Sequence, residues 1–452
     1  MRTTTRSIFR IALLATTLSV AHPAFAADAS LQAEVAALKA QLAAQAEQLA
    51  RLEAKLQAVS STQVTQAQTL QTVTAQAETA ATAPPPSFTS AGGQSSTTIG
   101  GYGEISYNGY LRDRSRNQAD LKRFVLFFGH RFNDKISFNS EVEVEHAIAS
   151  SGDAGEVALE QAYLNYAVNP AVNVKTGLFL MPFGFINRTH EPPNFFGVER
   201  NEVETRIIPT TYREGGVSVW GTTKFGVSYD FGVTTGFSFA KFDDPSSPLR
   251  ATHQELSLAK AANLQVYGSL EYRPVPGVLV GGAYLTGNSG QANADFKADP
   301  TQPDFSGIKG KVTLWDVHAR VQRAGFDLKA LYAQGSYGNA GAIDGVIAAF
   351  NAANGTDRPI LPSRFYGWMV EGGYTFRLGE TLTLSPFARY EKFNTQARLP
   401  VGFTADPANR DRVFTTGVSL KPSDDVVLKF DYPRFIENRA NDRINVGIGY
   451  QF

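Results

Sequence analysis

Cysteine is absent from all 452 residues. A chain without it has no disulfide staples, no thiol catalysis and no cysteine-ligated metal. Beyond the first 26 residues, no apolar run approaches the roughly 20 residues that a transmembrane helix requires. An excess of one charge is also missing, with 42 Lys and Arg against 42 Asp and Glu. No G-x-S-x-G pattern occurs, and of six His residues one, His22, lies in a segment expected to be removed. Met and Trp are scarce, whereas Gly, Phe and Tyr are plentiful. The length suits two or more soluble domains or one large β domain.

The N-terminus reads as a secretory signal. Arg2, Arg6 and Arg10 form a basic region, Ile11 to Val20 an apolar stretch, and Ala24-Phe25-Ala26 a small-residue cleavage pattern. Residues 1–26 are therefore expected to be cleaved. Losing three Arg leaves the mature chain at about −3, which argues against a nucleic-acid partner. Over 27–60, Leu31, Val35, Leu38, Leu42, Leu49, Leu52, Leu56 and Val59 recur at alternating four- and three-residue steps, interrupted by Gln45. This spacing predicts a short α-helical coiled coil, and so an oligomer, with dimer and trimer both open. Residues 61–96 are rich in Thr, Gln, Ala and Ser and contain Pro84-Pro85-Pro86, the composition of a linker.

From 97 to 452 the hydrophobic period changes to two. In "KISFNSEVEVEH", Ile136, Phe138, Val142 and Val144 share one face, and Asn139, Glu141, Glu143 and Glu145 the other. Similar segments recur to the C-terminus. A soluble sandwich also alternates, but its connections need not follow an order of length, and here they do. Tight turns are expected at Asn133-Asp134, Asn169-Pro170, Gly221-Thr222, Pro274 to Gly277, Ala324-Gly325, Leu378 to Glu380 and Pro422 to Asp425. Long polar connections alternate with them, near 112–120, 148–156, 182–214, 239–262, 288–310, 338–363, 394–410 and 433–441. About 16 strands with short turns at one rim and long loops at the other predict an all-β fold: a transmembrane antiparallel barrel with an apolar face toward lipid and a polar face toward water. An even strand number puts both ends on the short-turn side, so the coiled coil is expected in the periplasm. Phe132, Tyr166, Tyr272, Phe376, Tyr432 and Phe452 near strand ends are candidates for interfacial girdles.

The most charged stretch, "RTHEPPNFFGVERNEVETR" (188–206), invites other readings. "HEPPN" is a near miss for a zinc-protease motif: Asn194 stands where His is needed, and Pro192-Pro193 forbid the helix. Glu199, Glu202 and Glu204 are oxygen donors, but Arg200 and Arg206 beside them are better partners than a cation. No catalytic residue, no metal and no cofactor is expected.

The signal, the coiled coil, the ending "NVGIGYQF" and the segment "LEQAYLNYAVNPAVNVKTGLFLMPFGFINRTHEPP" resemble the trimeric sixteen-stranded outer-membrane porins of the phosphate-selective (O and P) type. They also resemble related coiled-coil-bearing porins that take up organic anions. The resemblance implies a homotrimer in the outer membrane of a Gram-negative bacterium, surrounded by its lipid. Ile448, Tyr450 and Phe452 are like the signal read by the barrel-assembly machinery. It further implies that the third long loop, 182–214, narrows the channel. Arg188, Glu191, Glu199, Arg200, Glu202, Glu204, Arg206 and Arg213 would then be constriction residues, and Arg123, Arg131, Glu141, Glu143, Glu145, Lys175 and Arg389 the wall. Phosphate-specific members are known for ladders of Arg and rings of Lys, whereas the inward faces here mix both signs.

Three carboxylates at Glu141, Glu143 and Glu145, about 7 Å apart on one face, repel unless cations meet them. Arg188, Arg200, Arg206 and Arg213 are the expected partners, pinning the loop to the wall. His130 falls on the lipid-facing parity and is expected to be interfacial. Such parity assignments slip by one wherever a bulge occurs. The expected function is passive diffusion of small hydrophilic solutes. The alternatives are an anion channel for phosphate or dicarboxylates and an envelope tether, with the coiled coil contacting the cell wall.

Overall fold

The structure, a computed structural model, describes residues 96–169 and 171–452, together with scattered positions between 39 and 55. Those scattered positions are helical and exposed, and Arg51 pairs with Glu47 one turn earlier at 2.7 Å. The signal, the rest of the coiled coil and nearly all of the linker lie outside the described residues.

Sixteen antiparallel strands follow. They are β1 (Ser96–Tyr110), β2 (Gln118–Arg131), β3 (Ile136–Glu145), β4 (Val157–Asn169), β5 (Val172–Leu180), β6 (Arg213–Thr222), β7 (Val227–Thr235) and β8 (Leu264–Tyr272). Next come β9 (Val278–Asn288), β10 (Lys311–Arg323), β11 (Phe326–Tyr337) and β12 (Arg364–Tyr374, resuming in the same register at Phe376–Arg377). The last four are β13 (Thr383–Arg398), β14 (Arg410–Ser423), β15 (Val426–Phe435) and β16 (Arg443–Gln451). Each strand pairs with its sequence neighbours, and β1 pairs with β16 from Tyr102↔Gln451 to Tyr110↔Arg443. The sheet therefore closes and leaves no edge, as a lipid-embedded sheet requires. Reciprocal bonds between Gly101 and Phe452 seal the seam at 2.9 and 3.0 Å.

Short and long connections alternate as the sequence predicts. The turn expected at Gly221-Thr222 lies instead at 223–226, where Gly226 takes φ +78° and lets the chain reverse. Gly221 and Thr222 are still paired in β6. Both β1 and β16 begin or end at the short-turn rim. Outward positions carry an exposed apolar belt, including Ile105, Val219, Phe231, Leu270, Val317, Val370 and Ile448. An apolar surface this extensive is stable only against lipid. Phe132, Tyr166, Tyr272, Phe376 and Phe452 stand exposed at the short-turn rim, and Tyr432 sits toward the other rim. His130 shares this outer face and bonds to Thr97 Oγ1 at 2.9 Å.

Two bulges matter for the site. Between β1 and β2, Glu104 pairs with Arg123 and Ile105 with Leu121, so Lys122 is the extra residue. Between β3 and β4, Glu141 pairs with Gln161 and Val142 with Leu159, so Glu160 is the extra residue. Each bulge places two consecutive side chains on the inner face.

Candidate functional site: the inward third loop

The connection from 181 to 212 folds into the barrel. Arg213, expected at the end of this loop, is the first residue of β6. One flank of the loop is apolar. Met181, Phe183, Val203, Ile207, Ile208 and Tyr212 are buried against Leu285, Leu314, Leu331, Phe365 and Met369 of β9–β12. Phe237, Phe239 and Leu249 from the connection 236–263 join this cluster, as does Ile343 of the helix Ala340–Asn354. The inner wall of β9–β12 is thus more apolar than the polar lumen face that the sequence predicts.

The other flank is polar. Glu202 N–H donates to Glu391 at 2.7 Å, Val198 N–H to Asp431 at 2.6 Å, and Ser419 Oγ to the Phe196 carbonyl at 2.7 Å. Lys429 donates to the Gly197 carbonyl at 2.8 Å and lies 3.5 Å from the centre of the Phe195 ring. Phe196 stacks on Phe387 at 5.5 Å. Close approach is possible because the wall is glycine there: a Cβ on Gly449 would lie 2.2 Å from Pro192 Cβ. The loop's own ends are tied down by Glu204, which accepts the N–H groups of Phe185 and Ile186 at 2.6 and 2.7 Å. Burial raises the pKa of that carboxyl, and these donors and Asn201 offset part of the cost.

The charges pair differently from the sequence expectation. Glu143 and Glu145 are met by Arg123 of the wall, at 3.2 and 3.8 Å, and Glu141 accepts from Gln161. The loop arginines go elsewhere. Arg188 reaches Glu271 at 3.2 Å, Arg200 donates to Thr211 at 2.9 Å, Arg206 pairs with Glu202 at 2.5 Å, and Arg213 with Glu255 at 3.0 Å. Glu199 is the loop carboxylate that grips the wall, accepting from Lys122 and from Asn108 at 2.9 Å. Burial opposes its charge, but Lys122 and Arg443 hold its pKa down to about 2. Glu191 accepts from Asn194 within the loop at 2.8 Å. Lys175 pairs with Asp230 at 2.7 Å, and Arg389 with Glu371 and Glu391 at 3.2 and 2.8 Å. Arg131 is exposed at the short-turn rim.

Lys122 and Glu160 both touch the loop, and sequence parity misses both. Each is the extra residue of a bulge, and single-sequence alternation carries no signal for it. Ile448 faces outward and is exposed, opposite Ile105 of β1. Tyr450 packs over Gly103 of β1.

Comparison with known proteins agrees with this architecture. OmpF of Salmonella typhi, solved with daunomycin, superposes with a TM-score of 0.51 at 16% identity, covering 79% of this chain and 98% of that one. An anion-selective porin from Comamonas acidovorans gives 0.47 at 12% identity, covering 79% and 100%. An uncharacterised protein of Aquifex aeolicus is 30% identical over 359 residues, 78% of this chain and 79% of its own. Residues 101–407 match the family described as phosphate-selective porin O and P. The chain belongs to that family and is an outer-membrane channel for passive diffusion.

Proposed function

We propose that the channel passes small hydrophilic solutes with little preference for anions, and that the inward loop is its constriction. The observation that carries this is the pairing of the lumen cations. Arg123, Lys175, Arg273, Arg320, Lys329 and Arg389 each lie within 4 Å of a carboxylate. Lys429 faces an aromatic ring and a carbonyl. A cation already neutralised by a neighbour offers little to a passing phosphate, whereas an unpaired ladder would attract one. Arg188, Glu191, Glu199, Arg200, Glu202, Glu204, Arg206 and Arg213 set the local field at the constriction, two of them indirectly. Glu204 does so by holding the loop ends, and Arg213 by anchoring the neighbouring connection through Glu255.

Reversal potentials of the purified protein in asymmetric KCl test the reading. A value near zero is expected. A strong anion potential, or block of chloride current by phosphate at low concentration, would favour a substrate-selective anion channel instead.

The heptad pattern and the helical positions between 39 and 55 support a periplasmic coiled coil and through it an oligomer, and the porin family points to a homotrimer. Ile448, Tyr450 and Phe452 are proposed as the assembly signal. Deleting residues 27–90 is expected to weaken the oligomer on cross-linking while conductance per barrel persists. Loss of envelope integrity with an unchanged oligomer would point to a tether.

A further inference from the structure

His190 sits in the inward loop at 2% exposure, beside Glu160 of β4 at 0% and Glu141 of β3 at 3%. One donor atom from each lies within 4.8 Å of the other two. His190 Nδ1 is 3.1 Å from the Asn187 carbonyl, which can only accept, so Nδ1 carries the proton. Nε2, 3.3 Å from Glu160 Oε2, then carries either a second proton or a lone pair. A lone pair facing a carboxylate inside a dry site is repulsive unless something positive lies between them. Glu160 Oε1 is buried, and the group it meets is the carboxyl of Glu143. Four carboxyl groups, Glu104, Glu141, Glu143 and Glu160, share the neighbourhood with the two guanidinium groups of Arg123 and Arg200, so two of them are left to be neutralised by protons or by a cation.

We propose that Glu141, Glu160 and His190 form a site for a divalent transition cation of the zinc type, clipping the inward loop to the barrel wall. The donor set is the one that favours it: an imidazole with carboxylates suits zinc better than calcium, which prefers oxygen alone. Tetrahedral zinc separates its donors by roughly 3.3–3.5 Å, given bonds of about 2.0–2.1 Å. The His190–Glu160 spacing already matches, and Glu141, within 4.8 Å of both, would move closer to complete the set. Two ligands also carry outer partners of the kind that orient metal-binding groups, with the Asn187 carbonyl on His190 and the Gln161 amide on Glu141. The bulge makes the site, because without it Glu160 and Gln161 would face opposite ways. No metal is expected from the sequence alone, because strict alternation does not put Glu160 on the inner face.

Because all three ligands are buried, the ion is loaded as the loop docks and leaves slowly. The protein, refolded in detergent with zinc and desalted, is expected to retain roughly one equivalent per chain by mass spectrometry. His190→Gln and Glu160→Gln should each retain less than about a tenth of that, and Gln161→Leu should weaken zinc binding by roughly 10–100-fold. Wild type that retains no zinc, or His190→Gln that retains as much as wild type, overturns the site and leaves protons as the neutralising charge. Should the variants fail to fold, wild type alone decides. Its thermal transition must rise when refolding is done with zinc rather than with chelator or magnesium, and no rise overturns the site. Metal content is read without any current, so this proposal and the constriction reading fail separately.

Discussion

The two flanks of the inward loop are held by different physics. Toward β9–β12, Val203, Ile207 and Tyr212 are fully buried among Phe, Leu and Met side chains. Toward β13–β16, β1 and β2, most contacts are hydrogen bonds, ion pairs and cations on rings, with Pro192, Val198 and Phe196 as the apolar exceptions. Burial is non-directional, and its strength scales with area, so the first flank fixes where the loop lies. Hydrogen bonds and ion pairs contribute less net energy but are directional, so the second flank fixes which charges face solutes. The proposed constriction needs both, because it must stay put while keeping polar groups uncovered.

The largest expected effect comes from the apolar flank. Ile207→Ala leaves a cavity beside Gly367 and should cost about 2–5 kcal/mol in denaturant unfolding, with added current noise but unchanged ion preference. A changed reversal potential would break the division of labour. Next is Gly449→Leu, whose side chain needs the space of Pro192. Overpacking of this kind costs roughly 1–3 kcal/mol, and the loop should shift on the polar flank alone. Lys122→Met removes the main cation on Glu199. Both groups are partly exposed, at 19% and 26%, so the stability cost is modest, about 1 kcal/mol after screening. The reversal potential should move toward cations, and no movement would remove this pair from the constriction.

The smallest effect is on pH and sharpens the contrast from the apolar side. His253, in the connection 236–263, lies by ring contact beside Tyr212 at 6.0 Å. Burial first, then Arg213, Arg250 and Lys241, push its pKa down to about 3. The folded state thus favours neutral imidazole. Its contribution is complete above about pH 6.5, where a free His is also neutral, and is lost progressively as pH falls toward the folded value. Acidification from pH 7 to 5.5 should therefore loosen this connection, seen as lower protection from hydrogen exchange relative to the unstructured amide at each pH, and His253→Phe should abolish the change. Protection independent of pH would remove His253 from the account.

Much of the barrel is legible from sequence because its rules are local. Alternation follows from the pleat, so Phe231, Val317 and Ile448 could be assigned to lipid one strand at a time. Loop order placed 182–214 as the third long connection without any contact information. The partners of the glutamate triplet were not legible. Arg123, on the adjacent strand β2 and directly opposite Glu145, meets Glu143 and Glu145 in place of the loop arginines. Lys122 and Glu160 were missed for one reason: a bulge inserts one residue, reverses parity beyond it, and leaves no trace in composition. The apolar packing of Leu285, Leu314 and Phe365 under the loop was hidden too, since a strand with apolar residues on both faces does not say which neighbour covers the inner one.

By itself the sequence determined the closed barrel, its strand count, the rim that carries the long loops, and the charged character of the third loop. These depend on period-two patterning and the need to pair every backbone group in lipid. Only the tertiary structure decided which charge meets which, that His190 lies against Glu160 and Glu141, and that one side of the lumen is apolar. Those outcomes depend on register between strands far apart in the chain, and a single bulge changes them while leaving every local pattern intact.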